Sequence, residues 1–317
     1  MSKKLVLSLV VAVFAVGAVV LVLAKNKHSE SSMEVAESPS EVTFHKELDK
    51  KTEVFLAERA SKDDSEQVKK KLFTQFVDGP LIESEFAALH SMLDAQIAKI
   101  ETLEIPQEKR NVLAQAFKNV FDAGAIYDSY LKNLYEQFSA DELKELNEVY
   151  SNAGVSKTVA AMQHLRTKEG QSEFADYLKD LPNKPLSDQR KEQLTKFDEV
   201  TGMTANSAKL VNQVMGLMHD AIGPTSKNMT EEQKKAQEAD KKMLEDYMTT
   251  KVHEGVMLTL AKAHDGISDQ EMAEILTLRS KPSAIKEGKV RIDNITQFIS
   301  SAKAKQSYET IMNTTPN

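Results

Sequence analysis

Histidine and methionine are the side chains in this sequence whose chemistry would be most specific. A zinc protease needs a second histidine one helical turn after the first, and His253-Glu254 lacks it. The Glu-x-x-His pairs of a di-iron helical bundle are missing as well. We therefore expect His253 to be a core or boundary residue and His264, near the end of a predicted helix, to be a cation favoured by the helix terminus.

Nine of the thirteen methionines lie in the C-terminal part of the chain, from Met203 onward. Met215 and Met218 share a predicted helix face beside His219, and thioethers with an imidazole suit Cu(I). Methionine at helical spacing more commonly fills a core or lines an adaptable apolar groove, so we predict no metal and no cofactor. The methionines of this candidate groove are Met215, Met218, Met243, Met248 and Met257.

Motifs for other chemistries are missing. The sequence has no Gly-x-Ser-x-Gly and no Gly-x-x-x-x-Gly-Lys, and its carboxylates are spread as on helix surfaces. It has no cysteine, which excludes disulfides, thiol catalysis and cysteine-ligated metals. With 41 Lys and Arg against 48 Asp and Glu, the net charge is -7, opposite to that of a nucleic-acid-binding surface. We predict neither an enzyme nor a nucleic-acid partner.

The stretch from Leu5 to Ala24 is an almost uninterrupted apolar run with lysines on both sides. A helix of this length spans about 30 Å, the thickness of a bilayer's hydrocarbon core. It predicts a transmembrane anchor over residues 1–25; a cleaved secretory signal is the alternative. In either case the bulk of the chain is exported.

Residues 26–43 are rich in Ser and Glu and predict a flexible polar stalk. From there on, apolar residues recur three or four positions apart, which predicts an all-α fold. The clearest pattern follows Pro106 and predicts one continuous helix to Phe138. The charged run from Thr230 to Lys242 opens with a capping-box pattern and predicts an exposed helical arm.

Two capping boxes indicate an internal repeat. Ser139 and Glu142 form the first, and Ser268 and Glu271 repeat it 129 residues later without a gap. The apolar stripe before each box also matches, which predicts that both stripes are buried. The stripe residues are Tyr127, Leu131, Leu134 and Phe138, matched by Val256, Leu260, Ala263 and Ile267.

The repeat predicts two tandem helical bundles after the transmembrane helix. Copy one covers residues 44–182 and copy two residues 187–313, with a Pro-Asn-Lys-Pro sequence between them. Lys157 of copy one corresponds to Lys286 of copy two.

A capping and packing pattern covers much of copy two, through Leu194, Phe197, Gly202, Ser268, Glu271, Met272, Ile275, Leu278 and Pro282. Through this pattern copy two resembles the bacterial envelope domains of unknown function numbered 2059 (DUF2059). Copy one matches the same pattern through its capping box but has Ala153 where the family has proline, and the family glycine falls on Val155 in copy one and on Ala284 in copy two. The resemblance implies an exported, all-helical domain and transfers no catalytic residue.

Together these features predict a single-pass protein of the bacterial inner membrane with its bulk in the periplasm. We expect a non-enzymatic scaffold or interaction module with an envelope protein partner. The alternative is a carrier or chaperone for lipids, other apolar ligands or polypeptides, which would use the methionine groove of copy two.

Overall fold

The computed structural model describes residues 39–59, 63–102, 106–120, 122–222 and 230–301, with residues 303, 304, 306, 307 and 310. These residues form thirteen α-helices and no β-strand, which confirms the all-α class. The predicted transmembrane segment and most of the predicted stalk lie outside the described residues. Among the helices that are described, none combines the length and apolar character needed to cross a membrane.

Helices α1 to α8 belong to copy one and the five others to copy two. They are α1 (Pro39–Ala57), α2 (Asp64–Val77), α3 (Pro80–Glu101), α4 (Gln107–Val120), α5 (Ala123–Gln137), α6 (Ala140–Ser151), α7 (Ala153–His164), α8 (Lys168–Asp180), α9 (Asp188–Thr201), α10 (Met203–Ile222), α11 (Glu231–Ala263), α12 (Asp269–Arg279) and α13 (Pro282–Ile299).

Two predicted boundaries are corrected. Helix α1 begins at Pro39, so the end of the segment predicted as a flexible stalk to residue 43 is helical. The helix predicted to run unbroken from Pro106 to Phe138 is two helices, α4 and α5. The side chain of Asp122 accepts a hydrogen bond from the backbone N–H of Ala125 and thereby caps α5. Apolar periodicity continues across this break and therefore hides it.

The capping boxes set the start of equivalent helices in the two copies. Ser139 and Glu142 begin α6, and Ser268 and Glu271 begin α12, each with both reciprocal hydrogen bonds. In copy one Asn152 then caps α7 through its side chain, while in copy two Pro282 takes the first turn of α13. The predicted stripes of α5 and α11, listed above, are buried at all eight positions.

In each copy, the helix that follows the helix with the capping box packs on the opposite copy, so the copies exchange one helix each. Helix α7 of copy one packs on α11 and α12 of copy two, and α13 of copy two packs on α5 and α6 of copy one. Ala284 and Val290 of α13 accordingly belong to the core of copy one, and Val155 of α7 belongs to the core of copy two. The copies therefore share their cores.

Hydrogen bonds across this exchange repeat at the same offset as the sequence. Lys157 Nζ donates to the carbonyl of Gly266 at 2.8 Å, and Lys286 Nζ donates to that of Gln137 at 2.6 Å. Each partner of the first bond lies 129 residues from its counterpart in the second. The two copies are thus related by a local pseudo-twofold axis.

Helices α10 and α11 pack against each other as a long hairpin. The core of copy two includes Val211 of α10 and Val252, Val256 and Leu260 of α11. These residues lie at one end of the hairpin. The 33 residues of α11 make it about 50 Å long. The part from Glu231 to Lys251 carries no fully buried side chain among those described. It includes most of the charged run predicted as an exposed helix and extends beyond it, and from here on we call residues 231–251 the arm.

Candidate functional site

A buried carboxylate lies where α13 meets copy one. Glu287 is 0% exposed. Tyr130 of α5 donates from its hydroxyl to one carboxylate oxygen at 2.9 Å, and Tyr150 of α6 donates to the other at 3.1 Å. Arg291, one turn further along α13, places Nε 3.0 Å from Oε1. Two tyrosines from copy one and an arginine from copy two therefore surround one carboxylate.

Arg279 connects this network to the pseudo-twofold axis. Its Nη1 donates to the Tyr150 hydroxyl, and its guanidinium lies 5.0 Å from the centre of the tyrosine ring. Tyr150 and Arg279 are equivalent positions, 129 residues apart. A residue that touches its own equivalent lies beside the axis, so the network occupies the centre of the interface between the copies.

Burial determines the protonation of these groups. It raises the pKa of Glu287, against the opposing effects of Arg279 and the two tyrosine hydroxyls. Burial also raises the pKa of Tyr130 and of Tyr150, so both remain donors at neutral pH. Burial lowers the pKa of Arg291 to about 10, which leaves it charged at pH 7.

The network has the parts of an acid–base site but is closed to solvent. Its carboxylate is fully buried and both of its oxygens already accept hydrogen bonds. Reaction would require a substrate within hydrogen-bond reach of these groups. The arrangement instead attaches α13 to copy one through buried hydrogen bonds.

Asn294 makes a second polar layer two turns along α13. Its Nδ2 donates to the carbonyl of Ile126 at 2.8 Å. Its Oδ1 accepts from Ser129 Oγ at 2.6 Å and from Asn133 Nδ2 at 3.0 Å. With Glu287, this layer specifies which helix α13 packs against and at what register.

The sequence did not predict the polar contacts made by Glu287, Tyr130, Tyr150, Arg279 and Asn294. A signal for two of them exists, since Glu287 and Asn294 share the helix face of the apolar Ala284. A carboxylate and an amide on an apolar stripe indicate a buried polar contact. The signal for the pair Tyr150 and Arg279 is their correspondence under the repeat.

One capping residue, Glu142, also binds the opposite copy. Glu142 accepts from Lys286 Nζ at 2.7 Å in addition to capping α6. Burial alone would raise the pKa of Glu142, but the hydrogen bonds from Lys286 and Ser139 hold it below its ordinary value. The cap of α6 therefore joins this helix start to α13 of the other copy.

The two histidines differ in their surroundings. His253 is exposed on α11, so the prediction of a core or boundary position is wrong, and its Nδ1 lies 3.7 Å from a carboxylate oxygen of Asp198. His264 is 1% exposed and packs edge-on against Phe197. Burial lowers the pKa of His264 to about 4, and its Nδ1 donates to the Leu260 carbonyl at 2.7 Å. The prediction that His264 is a cation at the helix end is wrong, because burial keeps it neutral.

The candidate groove methionines lie in different environments. Met248 and Met257 are half-buried against the core of copy two. Met243 is 66% exposed on the arm. Met215 and Met218 lie within α10, but their side chains are outside the described set. Two of the five methionines are thus brought to one apolar cluster. Within the described part of the chain, no three metal-ligating side chains cluster.

The arm carries an exposed apolar stripe. Met243 and Tyr247 are one helical turn apart and are 66% and 57% exposed. Ala239, one turn earlier on the same side, is also exposed. Lys242 and Asp246 are exposed and lie together on one flank of this stripe. A methionine and a tyrosine side by side on a solvent-facing helix are typical of a protein contact.

No protein-family model, curated protein or solved structure matches the chain.

Proposed function

We propose that the protein is a membrane-anchored, non-enzymatic scaffold of the bacterial envelope that binds a protein partner through its arm. The observation that carries the proposal is the exposed pair Met243 and Tyr247 on α11. Single exposed apolar side chains are common, but two large ones that are adjacent and more than half exposed form a surface that favours contact with a partner. In contrast, the polar groups best suited to chemistry, those around Glu287, are buried and already bound to each other within the fold.

The proposed anchor is the apolar run from Leu5 to Ala24. The first described helix begins at Pro39, after this run. The all-α fold is the one that the DUF2059 resemblance implies, and an exported location is part of the same proposal. The shared cores of the two copies suit a scaffold, because they join the copies into one body from which the arm is presented.

The test is an affinity pull-down of the full-length protein from gently crosslinked membranes, read by mass spectrometry. A variant that lacks residues 1–38 keeps every described helix and tests the anchor. Met243→Ser/Tyr247→Ser tests the arm, and its matched control is Val54→Ser/Val68→Ser, whose side chains are also about half exposed.

A stoichiometric partner that is lost with the arm variant and kept with the control supports the proposal. A partner that the arm variant still binds would show that the contact lies elsewhere, and would refute the role of the arm. No partner at all would refute the scaffold. Native mass spectrometry for bound lipid would then test the carrier alternative.

A further inference from the structure

We propose that the arm binds the arm of a second copy of this chain, with the two α11 helices antiparallel. The inference rests on the proposed use of the arm as a contact surface and names its partner. It comes from the order of charged and apolar residues along the exposed face of α11, which complements itself under a twofold rotation.

The apolar residues of the stripe fit this arrangement. When two antiparallel helices pair about a point level with Leu244, Met243 of one lies between Met243 and Tyr247 of the other. The ring of Tyr247 then faces Ala239, whose small side chain leaves room for it. The two large apolar side chains that are most exposed among the described residues thereby cover each other.

The charges flanking the stripe complement each other under the same rotation. Such a twofold places the same flank of both helices together, so Lys242 of each copy lies opposite Asp246 of the other. Both side chains are exposed in the single chain. The pairing gives two symmetric ion pairs, whereas a parallel twofold would place this flank of the two helices on opposite sides of the contact, so that Lys242 and Asp246 would not meet. Electrostatic complementarity therefore selects the antiparallel pair.

Membrane anchoring lowers the affinity that this contact needs. Two chains anchored by their N-terminal segments in one bilayer meet at a high effective concentration. A twofold axis normal to the bilayer keeps both anchors in the same membrane. A single pair of helices is then sufficient for a contact that would be weak between free proteins.

The lack of cysteine allows a direct test in the full-length protein in its membrane. Met243→Cys places a single thiol at the centre of the proposed contact, and a short bis-maleimide should join two chains through it. Val68→Cys, with a side chain that is 55% exposed on α2, is the matched control and should give no dimer.

Charge reversal in the Met243→Cys chain then tests the ion pairs. Lys242→Glu or Asp246→Lys alone should lower the dimer yield roughly tenfold, because each places like charges opposite each other. Co-expression of the two single variants should restore the yield, since the glutamate introduced in one chain then faces the lysine introduced in the other, and the native Lys242 and Asp246 still pair. Lys179→Glu, which reverses an exposed lysine on α8, is the charge control.

The outcomes distinguish this inference from the proposed function. A dimer of this chain with the expected charge pattern supports self-association. Crosslinking of the introduced thiol to a different protein would refute self-association and leave the scaffold role in place. A dimer indifferent to both charge reversals would refute the antiparallel pairing. No crosslinked dimer of the Met243→Cys chain would refute self-association, and the pull-down with the arm variant would still test the arm as a contact surface.

Discussion

Glu287 shows how one residue can attach a helix of copy two, α13, to the core of copy one. Its carboxylate meets Tyr130 and Tyr150 from copy one and Arg291 from its own helix. A buried ionisable group contributes little stability when fully satisfied, but removing one member leaves the others without a partner. The network should therefore act mainly through specificity and should be sensitive to truncation.

Glu287→Ala is expected to lower the free energy of unfolding by about 3 to 5 kcal/mol, because two tyrosine hydroxyls and a guanidinium lose their acceptor. Glu287→Gln retains one acceptor oxygen and should cost less. Urea unfolding followed by circular dichroism measures both. Glu274→Ala, on the exposed side of α12, is the control, and an equal effect of the two alanine variants would show that the network is dispensable.

His264 predicts a loss of stability in acid. The folded protein binds this proton only near pH 4, whereas the unfolded chain binds it near pH 6.5. Unfolding therefore takes up a proton between these values, and stability decreases as the pH falls through that window. The contribution is on the order of 3 kcal/mol by pH 4.

Comparison of the protein with His264→Gln isolates this effect, because glutamine can still donate to the Leu260 carbonyl but does not titrate. The difference in unfolding free energy between the two proteins should be constant above pH 7 and should change below about pH 6.5. A difference independent of pH down to 4 would mean that His264 does not titrate as its burial implies.

At the scale of single elements, the capping boxes were predictable and the interruption at Asp122 was not. Ser139 and Ser268 act locally, on backbone groups three residues away, so sequence spacing alone identifies them. The break between α4 and α5 keeps the apolar period, and its only local signal is a capping aspartate among many carboxylates. Periodicity identifies faces more reliably than ends.

Removing either cap should weaken the start of its helix. Ser139→Ala and Ser268→Ala are each expected to lower the unfolding free energy by about 1 kcal/mol, and the double variant by the sum. Thermal or urea unfolding measures the three variants beside Ser172→Ala, an exposed serine inside α8. A much larger loss for one cap would indicate that its contact with the opposite copy dominates.

The exchange of α7 and α13 could not be predicted from the sequence, for a different reason. The apolar face of a helix shows that it is buried, but not which helix covers it. The repeat predicted two similar bundles, and because the copies are alike, the apolar pattern does not distinguish packing within a copy from packing on the other copy. Polar contacts such as Asn294 with Ser129 decide between them, and these involve residues 165 positions apart.

For the whole molecule, shared cores predict a single cooperative unfolding transition. Leu131→Asp in copy one and Leu260→Asp in copy two each bury a charge on a fully buried stripe, which should cost more than about 4 kcal/mol. Because each copy contains a helix of the other, both variants should lower the midpoint of one common transition.

Differential scanning calorimetry checks this expectation, with Val68→Asp as an exposed control. Two separate transitions, of which each variant shifts one, would show that the copies unfold independently despite the exchange. A well-tolerated Leu131→Asp or Leu260→Asp would contradict the register of the buried stripes.

The contact between Tyr150 and Arg279 bears on why both copies belong to one chain. In a symmetric pair of identical chains, the position beside the axis would meet an identical residue, tyrosine against tyrosine or arginine against arginine. With both copies encoded in one polypeptide, that position can hold two different side chains, here a hydroxyl and the guanidinium that donates to it. Covalent linkage thus permits an asymmetric centre within a nearly symmetric body, and allows each half to diverge while it still completes the other.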